Sequence, residues 1–112
     1  MDVVSETRTQ GPWTIVALEG ELDLHTSPEV RDHVLGLIRD GADRVALEMS
    51  KVTFMDSSTL GALITCMKRA KERGGTVVLV GVEGSPLKVL NLTGLDRVFE
   101  VLASTEDLPD DR

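Results

Sequence analysis

A single α/β domain with a mixed, largely parallel sheet of four to five strands and three to four helices is the fold class that this 112-residue chain predicts. Two observations carry it. Apolar, β-branched runs alternate along the chain with stretches whose apolar residues recur at helical spacing, an order that lays helices over a parallel sheet. The run Thr76-Val77-Val78-Leu79-Val80 is apolar without alternation, as in a strand covered on both faces. Strand-helix-strand order also implies right-handed crossovers.

Val3 to Arg8 adds an antiparallel edge strand, with Gln10-Gly11-Pro12 as its turn. Trp13-Thr14-Ile15-Val16-Ala17-Leu18 is the first long strand. Thr26-Ser27-Pro28-Glu29 then starts a helix, with an early proline and the pattern of a capping box. Val30, Val34, Leu37 and Ile38 form one apolar stripe, and Gly41 closes the helix. Arg44 to Met49 is the next strand. Leu60, Leu63, Ile64 and Met67 stripe a second helix that runs to Gly74-Gly75. After the Thr76–Val80 strand, Ser85-Pro86 opens a third helix carrying Leu87 and Leu90, and Gly94 ends it. Val98-Phe99-Glu100-Val101 is the expected last strand. The closing run Asp107 to Arg112 is expected to fray.

Composition narrows the function. The length suits one domain with a real core, and no stretch approaches the roughly 18 apolar residues of a membrane span. Met1 to Glu6 lacks the basic and apolar regions of a secretory signal, so the expected place is the cytoplasm. A formal net charge of -7 argues against nucleic acid. The one basic cluster, Lys68-Arg69-Ala70-Lys71-Glu72-Arg73, falls late in the second helix and reads as a solvated face. Cys66 stands alone and reads as a small buried hydrophobe. His25 and His33 have no third ligand, so no metal is expected. Neither G-x-S-x-G nor a phosphate-binding G-x-x-x-x-G-K-[ST] loop is present, and no enzyme activity is expected.

The run Phe54-Met55-Asp56-Ser57-Ser58-Thr59-Leu60-Gly61 crowds one carboxylate and three hydroxyls where a strand gives way to a helix. One such side chain is enough for a cap, since Asp, Ser and Thr can each accept a bond from an orphan amide of the first turn. Three hydroxyl or carboxylate groups are left over. A helix N-terminus favours added negative charge, so a phosphate here would be tolerated by the fold. Periodicity does not choose the acceptor: Ser58 points away from the core and Ser57 falls nearer its edge, but a capping residue need not obey the helix register.

Three motifs in order, Gly20-Glu21-Leu22-Asp23 with Thr26, Phe54-Met55-Asp56-Ser57-Ser58, and Leu92-Thr93-Gly94-Leu95, make the chain resemble the STAS domains, specifically the bacterial anti-sigma-factor antagonists. The resemblance spans nearly the whole chain. It implies a STAS domain over residues 1–103 and a short tail over 104–112 of at most one helical turn, because Pro109 discourages a longer helix. It implies phosphorylation of Ser57 by an anti-sigma factor that is itself a serine kinase, with Ser58 as runner-up and Asp56 as the capping neighbour. The unphosphorylated chain would bind that kinase and free a sigma factor; the phosphorylated chain would let go until a serine phosphatase resets it. Asp23, Asp56, Ser57, Ser58 and Thr59 are the implied partner contacts. The kinase would bring ATP and magnesium, so the chain itself needs no cofactor, and it would be a monomer when free. Thr59 stands where the family usually has glycine. The rival reading is a sensor module that binds a nucleotide or another anion at the same helix N-terminus.

Overall fold

The computed structural model describes residues 3–110. Strands β1 (Val4–Gln10) and β2 (Trp13–Leu22) form an antiparallel hairpin; β3 (Arg44–Met55), β4 (Thr76–Val80) and β5 (Val101–Leu102) then add in parallel, giving the order β1-β2-β3-β4-β5. Helices α1 (Ser27–Arg39), α2 (Ser57–Glu72) and α3 (Gly84–Thr93) make the crossovers. The sheet is mixed and largely parallel, as expected.

Alternation along the strands sorts the core. Val16 and Leu18 of β2, Val45 and Leu47 of β3 and Val77 and Leu79 of β4 pack beneath the helices with Val30, Val34 and Ile38 of α1, Leu63, Cys66 and Met67 of α2 and Leu90 of α3. The intervening residues Trp13, Ile15, Ala46, Val78 and Val80 form a smaller cluster on the other face, closed by Leu108. All three helices therefore cover one face. None is long and apolar enough to cross a membrane among the described residues.

Two register shifts interrupt the β2–β3 ladder, between Ala17 and Glu19 and between Gly20 and Glu21. Bulges of this kind bend a strand pair and re-aim its end. β3 meets β4 only as far as Glu48, so residues 49–55 continue beside β2 alone. The buried positions there come at Met49, Val52 and Met55, every third residue instead of every second. The β2–β3 ribbon thus reaches past the rest of the sheet and delivers α2 at its tip.

The turn after α2 explains one glycine. A Cβ on Gly75 would lie 1.6 Å from the Asp43 carbonyl oxygen, where the Thr76 amide donates at 2.8 Å to begin the β3–β4 ladder.

Five expectations need correction. The last strand is Val101–Leu102, not Val98–Val101: Gly94, in the left-handed region at φ +79°, leads into a 3₁₀ turn at Leu95–Arg97, and Phe99 goes into the core as a plug while Val98 stays half exposed. β3 runs six residues beyond Met49, and β2 runs four beyond Leu18. Thr26 and Glu29 do not form a capping box; the Glu29 carboxylate instead accepts the amides of Val3 and Val4 at 3.1 and 3.2 Å, tying the N-terminal strand to α1. The closing run is not frayed through Pro109. Leu108 is buried, the Trp13 indole donates to the Pro109 carbonyl at 2.8 Å, and one 3₁₀ turn at Thr105–Asp107 is held by a capping box between Ser104 and Asp107. Asp111 and Arg112 lie outside the described residues.

Candidate functional site

The tip of the β2–β3 ribbon holds the Asp-Ser-Ser-Thr run. Leu22 and Met55 end level in the ladder, and the Asp56 amide donates to the Leu22 carbonyl at 3.2 Å. Asp56 is the N-cap of α2: its backbone is extended, and its carboxylate accepts the Ser58 amide at 3.0 Å and the Ser58 hydroxyl as well. That satisfies one orphan donor of the first turn. Ser57 is the first helical residue and is exposed; among the described residues no hydrogen bond engages its hydroxyl.

Thr59 points the other way and is fully buried. Its hydroxyl donates to the Leu22 carbonyl at 2.8 Å and lies 2.9 Å from the hydroxyl of Ser27, itself buried at the start of α1. Ser27 in turn donates to the Asp23 carbonyl, which also accepts the Ser27 amide at 2.8 Å. Thr59 therefore offers no surface to a partner and belongs to the site from the inside.

Asp23 lies in the loop from β2 to α1, and this loop does reach the start of α2. Its carboxylate is spent on its own turn, accepting the amides of His25 at 2.9 Å and Thr26 at 3.0 Å. The Thr26 amide, followed by that of His25, holds the Asp23 carboxyl below its usual range. With the folded pKa depressed, the turn adds stability above the ordinary carboxylate range and loses it as pH falls through the folded value. Asp23 touches the hydroxyl cluster through its carbonyl only.

Beside Ser58, α1 and α2 leave a shallow groove of about 340 Å³ lined by Leu24, Pro28, Arg31, Gly61, Ala62 and Thr65. Leu24 is 69% exposed, and Phe54 in the adjoining strand is 42% exposed. Sequence reasoning passed over Leu24, Arg31 and Ser27. Leu24 gave no signal by itself, because a single exposed apolar residue is ordinary; it stands out only as a wall of the groove. Ser27 gave no signal, because its partner lies 32 residues away.

The remaining candidates fall into place simply. Lys68, Arg69, Lys71 and Arg73 are exposed along the last turns of α2, with Arg69 paired to Glu72 at 3.2 Å. Cys66 is buried, and burial pushes its thiol pKa up to about 11, so it stays protonated and unreactive near neutrality. His33 accepts or donates a bond at 2.9 Å with the Thr7 hydroxyl, far from His25 in role. Among the described residues, no cluster of three His, Cys, Asp or Glu side chains has the arrangement to hold a metal ion.

A mixed five-stranded sheet covered on one face by three helices matches the fold of a solved STAS domain protein. The STAS domain family matches residues 5–108, and the chain belongs to it. The chain is 30% identical over 92 residues to the anti-sigma-B factor antagonist of Bacillus subtilis, covering 81% of this chain and 83% of the relative. Against the protein of the same description from Staphylococcus aureus strain NCTC 8325 it is 28% identical over 106 residues, covering 95% and 98%. The fold is also similar to that of the anti-sigma factor antagonist SpoIIAA in its unphosphorylated form, with a TM-score of 0.78 at 24% identity over 91% of this chain and 90% of that one.

Proposed function

We propose that this chain is an anti-sigma factor antagonist of the partner-switching kind, regulating transcription without being an enzyme. Unphosphorylated, it binds an anti-sigma factor with serine kinase activity through the tip around Asp56, Ser57, Ser58 and the exposed Leu24; phosphorylated on Ser57, it releases that factor until a serine phosphatase resets it. It works in the cytoplasm and is a monomer when free.

The observation that carries this reading is the contrast among three adjacent hydroxyls. Ser57 is exposed with its hydroxyl unengaged among the described residues, Ser58 donates a hydrogen bond to the Asp56 carboxylate, and Thr59 is buried. A phosphate on Ser58 would stand against the Asp56 carboxylate and displace the cap; one on Ser57 would meet only solvent and the first amides of α2. A phosphoryl group adds roughly -1.5 to -2 charges with strong acceptor oxygens. The helix end offsets part of that charge within the chain, whereas a partner packed on the bare hydroxyl meets repulsion and an uncompensated desolvation cost. Release then needs no change of shape. Support also comes from the relatives named for anti-sigma factor antagonism.

The test is to incubate the chain with each anti-sigma serine kinase encoded in its own genome, with magnesium and ATP, followed by intact-mass measurement and peptide mapping. One phosphate on Ser57, absent from Ser57→Ala, is the expected result. Phosphate confined to Ser58 overturns the residue assignment, and no phosphate from any of the kinases overturns the switch.

A further inference from the structure

Leu22 contributes one carbonyl to two donors three residues apart. The Asp56 amide reaches it at 3.2 Å and the Thr59 hydroxyl at 2.8 Å, so the turn carrying Ser57 and Ser58 is pinned at both ends to the last residue of β2. On the far side, Asp23 does the same for the start of α1 through the Ser27 amide and hydroxyl. The 2.9 Å contact between the hydroxyls of Ser27 and Thr59 joins the two anchors. Two protons serve these three contacts: Thr59 donates to Leu22 and Ser27 to Asp23, or one of the two hydroxyls turns its proton to the other while the other keeps its carbonyl. Both carbonyls keep their backbone amide donors in either arrangement.

Packing alone does not call for these hydroxyls. A buried hydroxyl carries a desolvation cost unless bonded, and valine at 59 with alanine at 27 would fill similar space without that cost. What hydroxyls add is direction. Without them the first turn is still held by the Asp56 amide and by Leu60 and Leu63 packed behind it, but Thr59 has no directed bond to the end of β2.

We propose that the Ser27–Thr59 hydroxyl bridge is a positioning element for phosphoryl transfer to Ser57, holding the first turn of α2 at one angle to the β2–α1 loop. The proposal rests on the reading of Ser57 as acceptor. In that transfer the bond from Ser57 Oγ to the γ-phosphorus forms as the bond to the bridging oxygen of ATP breaks; ADP leaves, and the hydroxyl proton passes to a base on the kinase. A displacement of an acceptor by about 1 Å is enough to slow such a reaction on the order of a hundredfold. Thr59 and Ser27 touch no reacting atom and act through the turn.

The experiment compares full-length wild type, Thr59→Val, Thr59→Ser, Ser27→Ala and the double variant Ser27→Ala/Thr59→Val as substrates of whichever genomic anti-sigma kinase labels the wild type fastest. Melting curves first establish that each is folded. Thr59→Val and Ser27→Ala are each expected to lower kcat for labelling at Ser57 by about tenfold or more, with KM changed less than about threefold. Thr59→Ser, which restores the hydroxyl, is expected to recover most of the rate, and the double variant to be no slower than the slower single one, as for two members of one bridge. Folded variants labelled at the wild-type kcat overturn the proposal while leaving Ser57 the acceptor. A raised KM at unchanged kcat also overturns it, because the residues would then serve docking. A wild type unlabelled at Ser57 by every kinase overturns the proposal together with the reading beneath it. Should Thr59→Val fail to fold, Ser27→Ala decides by the same criteria.

Discussion

The starts of α2 and α3 are both fed by strands of one sheet, yet they are built in opposite ways. At α2 the Asp56 carboxylate caps the helix, Ser58 adds a hydroxyl to the same carboxylate, and Thr59 reaches back to β2. At α3 the cap residue Glu83 makes no side-chain bond, Gly84 turns the chain at φ +63°, and the buried ring of Pro86 does the packing. A bare start suffices to hold α3 in the domain. The polar groups at α2 therefore exceed what a helix start requires, and the surplus is concentrated around one exposed hydroxyl. The two helix starts are capped unequally, and only the one at α2 gathers hydroxyls around its cap.

The comparison can be broken hardest beneath α2. Leu63 is fully buried against the sheet, and Leu63→Ala is expected to cost about 2–5 kcal/mol, enough to lower Tm by many degrees. Such a variant would lose partner binding by unfolding, a loss that Ser57→Ala, with its exposed side chain, should not share. Denaturant titration of both variants separates the two causes.

A finer contrast sets the two caps against each other. Asp56→Ala removes a bonded N-cap and is expected to cost about 1 kcal/mol, whereas Glu83→Ala is expected to stay within about 0.5 kcal/mol of wild type. Equal losses in chemical denaturation would remove the distinction between the two starts. Gly61 sharpens the same point from the next turn of α2. A Cβ there meets nothing within 4 Å, so Gly61→Ala is expected to stabilise the free chain by about 0.5–1 kcal/mol through helix propensity. Smallest is the effect of phosphate itself. At the exposed end of α2 it is expected to leave Tm unchanged or raise it slightly, a favourable contribution of about 0.3–1 kcal/mol. A phosphorylated form that melts many degrees lower would show the switch working by unfolding.

What could be read from the sequence was what depends on local pattern. Val77, Val78, Leu79 and Val80 announce a two-faced strand, and Val30, Val34 and Ile38 announce one helix face, because burial follows the period of each element. The start of α2 was legible as a place: four polar residues before an apolar stripe fit a helix start. It was not legible in detail. Val98 to Val101 has the composition of a strand, but its fate was settled by Gly94 and the 3₁₀ turn that steers Phe99 inward. Glu29 matched a capping box and was drawn instead to two amides 25 and 26 residues earlier. The inward turn of Thr59 depends on Ser27 and on the end of β2, contacts that no local spacing encodes.

A phosphate on Ser57 is expected to act at the interface and not on the fold. This is tested most directly by titrating the anti-sigma kinase that labels this chain, without nucleotide, into the phosphorylated and the unphosphorylated chain in a calorimeter. Binding at least about tenfold weaker is expected for the phosphorylated form, a difference of about 1.4 kcal/mol or more, from two chains that melt alike. Equal affinity of the two forms would contradict that expectation.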